Sequence, residues 1–103
     1  MSAQRTKASS KLLQKNERVI ITEWKFAPGA ETGWHRHGQD YVVVPQTTGT
    51  LFLEERGGNR EAQLTVGVSY FRTVGVEHNV VNANDFEFVF VEVEIKSAVM
   101  GEG

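Results

Sequence analysis

The chain has 103 residues, 40% of them hydrophobic and 23% charged, which suits one soluble domain with one modest core. A formal net charge of -2 supplies no basic field for nucleic acid or an anionic membrane surface, and no apolar run approaches the ~20 residues that cross a bilayer. The absence of cysteine excludes disulfides, thiolate ligands and a thiol nucleophile, so any metal must be held by nitrogen or oxygen.

Residues 1–18 carry five cations (Arg5, Lys7, Lys11, Lys15 and Arg18) against the single acid Glu17, and they read as a flexible, solvated basic arm. They hold no apolar core of a secretory signal, which points to the cytoplasm. From residue 19 onward, short β-branched and aromatic segments alternate with Gly, Asn and Pro, and no long 3.6-residue period argues for a helix. Strands are predicted over 19–26, 33–37, 41–44, 49–55, 62–66, 69–72, 78–82 and 86–96. The stretch 45–48, the Gly57-Gly58-Asn59 tip and the run 82–85 serve as turns. This is an all-β pattern for a sandwich or barrel over 19–96, with a C-terminal tail over 97–103.

The last predicted strand places Val89, Val91, Val93 and Ile95 on one face and Phe86, Phe88, Phe90, Glu92 and Glu94 on the other. It begins buried on both sides and ends half wet. Phe88 and Phe90 fit either a core or a seam between two copies.

Three histidines carry the chemistry. His35 and His37 form an H-x-H pair, and residues two apart on a strand face the same way, so both imidazoles project into one interior as adjacent metal donors. The third, His78, lies far along the chain. Arg36, between the first two, should point outward, as should Glu77 beside His78.

These residues resemble the signature of the cupin superfamily, whose motifs read G-x5-H-x-H-x(3 or 4)-E-x6-G and G-x5-P-x-G-x2-H-x3-N. Gly29, His35, His37 and Gly49 match the first, and Gly67, Gly75, His78 and Asn82 match the second, eight of the ten signature positions. Thr73 stands where proline is usual. The resemblance implies a single-domain cupin, that is, a double-stranded β-helix or jelly-roll barrel, with His35, His37 and His78 as ligands to one divalent transition metal. It extends to small single-cupin proteins associated with β-alanine degradation.

The motif's glutamate is missing. Its slot falls on Tyr41 or Val42, and Asp40, one residue early, should face away from the histidines unless a bulge at Gly38 re-aims it. Tyr41 shares the parity of His35 and His37, so it lines the interior either near the metal or as an amphipathic core residue. Three neutral imidazoles leave the ion its full charge, which favours an anionic or chelating small-molecule ligand. Imidazole suits iron, nickel, zinc and copper, with manganese also possible; Fe(II) is favoured because a facial triad leaves positions for a chelating substrate and dioxygen.

Among the other polar residues, Arg72 is the cation suited to a substrate carboxylate, and Asn82 is better suited to fixing a turn than to touching substrate. Tyr41 and Arg72 are therefore the candidate catalytic residues beside the metal. One reading is a three-histidine dioxygenase acting on a small chelating organic acid or diketone. The other is a non-catalytic small-molecule or metal-binding cupin, or an isomerase-type member. The resemblance also implies a homodimer, since a short barrel has edges to cover.

Overall fold

The computed structural model describes residues 5–97, which form nine strands and no helix: β1 (Ser9–Lys15), β2 (Val19–Phe26), β3 (His35–Arg36), β4 (Asp40–Pro45), β5 (Gly49–Glu54), β6 (Arg60–Leu64), β7 (Tyr70–Arg72), β8 (Glu77–Asn82) and β9 (Phe88–Ile95). They build two antiparallel sheets in the orders β1-β2-β9-β4-β7 and β3-β8-β5-β6. The all-β expectation holds. No helix among the described residues is long and apolar enough to cross a membrane.

The register explains where the core lies. On the inner face of the larger sheet Phe26 pairs with Phe88 and Trp24 with Phe90, so four aromatic side chains stack across two neighbouring strands. Phe26 and Phe88 are fully buried, and Phe26 approaches Phe90 at 5.4 Å between ring centroids. Leu51, Leu53, Leu64 and Val80 meet them from the smaller sheet. Fully burying one such side chain contributes about 1.5–3 kcal/mol, so this end of the sandwich supplies much of the hydrophobic stabilisation. Phe88 and Phe90 are thus core residues, whereas Phe86, which precedes β9, is exposed.

Two rows lie further along. The first runs Arg72–Tyr41–Glu94–Ile20 across β7, β4, β9 and β2, and the second Tyr70–Val43–Glu92–Thr22. Along β9 the inner face therefore changes from Phe88 and Phe90 to Glu92 and Glu94, and the sandwich changes from a dry core to a polar cavity.

The structure departs from expectation at the N-terminus. Within the stretch read as a flexible arm, Ser9–Lys15 pairs with β2 as an edge strand, with a register shift between Leu12 and Gln14. Every residue of β1 is exposed, so no alternation of apolar and polar positions marks it in the sequence. The preceding residues cross to the smaller sheet, where Ala8 donates to the Glu31 carbonyl and Glu31 to the Thr6 carbonyl.

Asn82 shows why an amide stands at the end of β8. It is 1% exposed; its Nδ2 donates to the carbonyls of Phe26, Ala27 and Phe86 at 3.1, 3.2 and 2.8 Å. Its Oδ1 accepts from the backbone and side chain of Asn84. Asn84 in turn holds Thr50, and a Cβ at Gly49 would come within 2.9 Å of that Asn84 amide, so the position admits only glycine without displacement. Asn82 thus ties three loops at the dry end, away from the cavity. Asn82→Ala strands several buried carbonyls and should cost about 3 kcal/mol in urea unfolding; a loss under about 0.5 kcal/mol would contradict this role.

Candidate metal centre

The pairing of β3 with β8 brings His35 directly opposite His78, and the chain beyond β3 carries His37 to the same face. The His37 backbone is held there by donation to the Val76 carbonyl and by acceptance from Gly75 N–H, each at 2.8 Å. The three Nε2 atoms converge: His35 to His37 is 3.0 Å and His37 to His78 is 3.2 Å. His37 and His78 are 6% and 4% exposed.

The ring of His35 is fixed in one orientation. Its Nδ1–H donates to the Gly33 carbonyl at 2.8 Å, which leaves Nε2 as a lone pair facing the other two rings. Gly33 sits at φ +93°, a conformation that favours glycine, and its N–H donates to Asn79 Oδ1 at 2.8 Å. Asn79 donates in turn to Glu31 and Glu54, both at 2.8 Å, and Arg5 bridges those two carboxylates. The hydrogen bonds from Asn79 and Arg5 hold both acids below the usual carboxylate range. Sequence reasoning missed this support because Asn79, Glu31 and Glu54 belong to no local motif.

These donors fit a metal ion. Nitrogens about 2.1 Å from one ion lie about 3.0 Å apart at right angles and about 3.4 Å apart at tetrahedral angles, and the contacts of 3.0 and 3.2 Å fall within that range. Protons alone do not satisfy the cluster. His37 Nε2 takes part in both contacts, so whether it carries a proton or a lone pair, it completes only one hydrogen bond while His35 presents a lone pair.

Burial pushes the His37 imidazole down to about 3 and His78 down to about 4, with His35 and Arg72 adding to both effects, so both rings are neutral at neutral pH. Tyr41 stacks on His37 with ring centroids 3.8 Å apart, and burial raises its phenol above the ordinary value. The Tyr41 hydroxyl is buried without a hydrogen-bond partner, as are Trp24 Nε1 and His78 Nδ1.

The imidazoles form one wall of a cavity of about 290 Å³, to which Trp24, Val43, Tyr70 and Arg72 also contribute. Tyr41 and Arg72 are therefore brought beside the histidines. Asp40 is not: its Oδ1 accepts from Val74 N–H at 2.8 Å, outside the cavity. Arg36 is exposed at the rim, and Glu77 pairs with Arg56 on the surface.

Two carboxylates enter the cavity from a strand to which the sequence reading assigned no ligand. Glu92 and Glu94 offer oxygens that lie with a His37 nitrogen inside a 4.8 Å group. Glu92 stands 3.9 Å from His37 Nδ1, beyond hydrogen-bond reach, and its side chain is 12% exposed. Burial, reinforced by Glu94, pushes its carboxyl up to about 7. Their parity with Phe88 and Phe90 is the signal that marks them as inward. These acids add carboxylates beside the histidines, grouped with a His37 nitrogen and not with all three rings.

The protonation states set an acid response for the metal-free protein. Between pH 4.5 and 6.5 the unfolded chain gains protons on His37 and His78 that the fold refuses, two against the one that folded Glu92 retains, so stability falls as pH falls. Below 4.5 unfolded Glu92 is protonated too, and its offset ends. Thermal melts with chelator present should peak near pH 6.5 to 7 and fall more steeply below 4.5; a flat profile from pH 7 to 4 would refute the assignment.

Comparison with known proteins agrees with this architecture. No family model matches the chain. It is 67% identical over 81 residues to the β-alanine degradation protein BauB of Pseudomonas aeruginosa, an alignment spanning 79% of this chain and 85% of that protein. The crystal structure of a cupin domain from Bordetella pertussis Tohama I superimposes with a TM-score of 0.92 at 59% identity, covering 93% of this chain and all of the other. A cupin superfamily protein from Desulfitobacterium hafniense, 14% identical, shares the fold at a TM-score of 0.69 over 94% of this chain and 84% of its own. With the double-stranded β-helix, the signature glycines and the converged histidines in place, the chain belongs to the cupin superfamily, in the same family as BauB.

Proposed function

We propose that this cupin is a cytoplasmic metal-dependent enzyme that acts on a small chelating organic acid or diketone, with His35, His37 and His78 holding one divalent iron. The observation that carries the reading is the pair of 3.0 and 3.2 Å contacts among three Nε2 atoms on the wall of a cavity. When bound, iron supplies the redox chemistry and activates an electron-rich chelating substrate toward dioxygen. The name of the Pseudomonas relative, which ties it to β-alanine degradation, supports a small carboxylate as the ligand.

The chain's own groups orient that ligand. Arg72 lines the cavity with no ion-pair or hydrogen-bond partner among the described residues, and its guanidinium is suited to a bidentate pair with a carboxylate. The Tyr41 hydroxyl lacks a partner, so it donates to a ligand oxygen at little cost. Trp24, Val43 and Leu51 limit the water around the reacting groups.

Metal analysis of purified protein should give one ion per chain, lost in His35→Ala and in His78→Ala while the fold persists. Equal metal content in all three proteins would remove the site. Iron(II)-loaded protein should consume oxygen with some member of a panel of small acids and diketones. Arg72→Ala should raise KM for that substrate at least tenfold, and absence of substrate-dependent uptake favours the binding-protein reading.

The protein also pairs with a second copy through the outer face of the larger sheet. There Phe71, Val42, Val93 and Ile21 form one apolar row across β7, β4, β9 and β2, and Phe71 is 54% exposed. A two-fold axis lets such a row cover itself. Light scattering should give twice the 11.5 kDa chain mass, falling to the monomer in Phe71→Glu, and a monomeric parent protein overturns the pairing.

A further inference from the structure

Glu92 and Glu94 are the groups in the cavity that the metal reading leaves without work. Both line it, both descend from the inner face of β9, and neither has an ion pair closer than the 3.9 Å approach of Glu92 to His37 among the described residues, with the Trp24 indole beside Glu92. A carboxylate that is mostly buried and unpaired is costly, and two side by side cost more. That cost is relieved when a carboxyl takes up a proton or when something cationic occupies the space the two acids face, and a cation relieves both acids at once. Water alone is a weak substitute.

A second set of observations points to the same space. Tyr41, 2% exposed, pairs across the sheet with Glu94, lines the cavity and keeps a hydroxyl with no partner. Trp24, whose indole lies beside Glu92, presents an aromatic ring to the cavity. Acceptors, donors and an aromatic ring thus surround a volume next to the imidazoles, with the cation Arg72 two strands from Glu94.

We infer that Glu92 and Glu94 form a subsite for a primary ammonium group, so that the ligand of this cavity is a short zwitterion with its anionic end toward the histidines. This narrows the proposed function and rests on it for the anionic end only. An ammonium nitrogen bonded at about 2.8 Å to two oxygens at tetrahedral angles holds them about 4.6 Å apart. The oxygens of Glu92 and Glu94 lie within 4.8 Å of each other and of a His37 nitrogen. The two acids therefore adjoin the histidine wall through His37, which favours a short spacer between the charged ends. The Trp24 ring supports the cation by its π face. The same donor set admits a rival occupant, a second metal ion on Glu92, Glu94 and His37 Nδ1, but a neutral His37 that turns Nε2 toward the other histidines carries its proton on Nδ1, and a second ion there would need the ring as an imidazolate.

The test uses three probes built on the same three-carbon chain, β-alanine, propionate and propylamine, titrated calorimetrically into nickel-loaded and metal-free full-length protein, with the Glu92→Gln/Glu94→Gln double variant beside the parent. The parent with nickel should bind β-alanine at least tenfold more tightly than propionate. The double variant should lose that preference while it retains propionate binding and one nickel per chain. Equal affinity for β-alanine and propionate in the parent overturns the subsite, as does a preference that survives in the double variant. A second nickel equivalent in the parent, absent from the variant, overturns it in favour of the metal. Propylamine separates this inference from the metal reading. Its binding to metal-free protein, weakened at least tenfold in the variant, sustains the ammonium subsite even if the parent takes up no nickel; undiminished or absent propylamine binding in the parent and variant alike sinks it.

Discussion

The contact on which the rest depends is the direct pairing of His35 with His78 across β3 and β8. A strand pair fixes which residues face each other and on which side, and a shift of one residue would turn one imidazole out to solvent. With that register set, His37 follows by parity and the three Nε2 atoms meet. The meeting is unfavourable for neutral rings alone, because lone pairs outnumber the protons placed to bridge them. A cation is the one partner that satisfies all three nitrogens at once.

What keeps the rings together without the ion is a chain of hydrogen bonds that runs outward from His35. Its Nδ1 is held by Gly33, Gly33 by Asn79, and Asn79 by two carboxylates that Arg5 neutralises. Each link satisfies a group that would otherwise be buried unpaired or left charged, so the chain is stable as a whole rather than by any one bond. Through it the N-terminal segment, exposed and unremarkable by composition, becomes part of the support of the centre. Tertiary pairing gave β1 its structure where local pattern gave none, since an edge strand wet on both faces leaves no periodic trace.

The legibility of the site follows the same division. His35 and His37 were readable as a pair from strand parity, a local property, and His78 joined them through the resemblance of the glycine and histidine spacing to the cupin signature. Tyr41 followed by parity from the histidines, and Asp40, left open as a ligand only if a bulge re-aimed it, bonds Val74 instead. Glu92 and Glu94 were assigned to the correct face of their strand and yet given no role. Face is a local property, but the identity of what lies opposite is not: only the antiparallel pairing of β9 with β4 and β2 sets those acids against Tyr41, Val43 and Thr22 at the cavity. Asn79, Glu31 and Glu54 lie even further from a sequence signal, each meaningful only through partners tens of residues away.

The inner face of β9 joins these strands of argument. Phe88 and Phe90 are committed to a dry core that can bear the loss of stability elsewhere, and Glu92 and Glu94, on the same face of the same strand, are the loss. A sequence selected for stability alone would continue the aromatic series and fill the cavity, gaining about 1.5–3 kcal/mol per added buried side chain. This one stops after two residues and places two acids beside three imidazoles whose Nε2 atoms converge. Unsatisfied groups of opposite preference, nitrogens that want a cation and carboxylates that want an ammonium or a second cation, are then confined to one cavity of about 290 Å³. Such an arrangement is stabilised by a bound partner more than by any rearrangement of the protein, which is the physical condition for a binding site and the reason its chemistry is concentrated at one end of the sandwich.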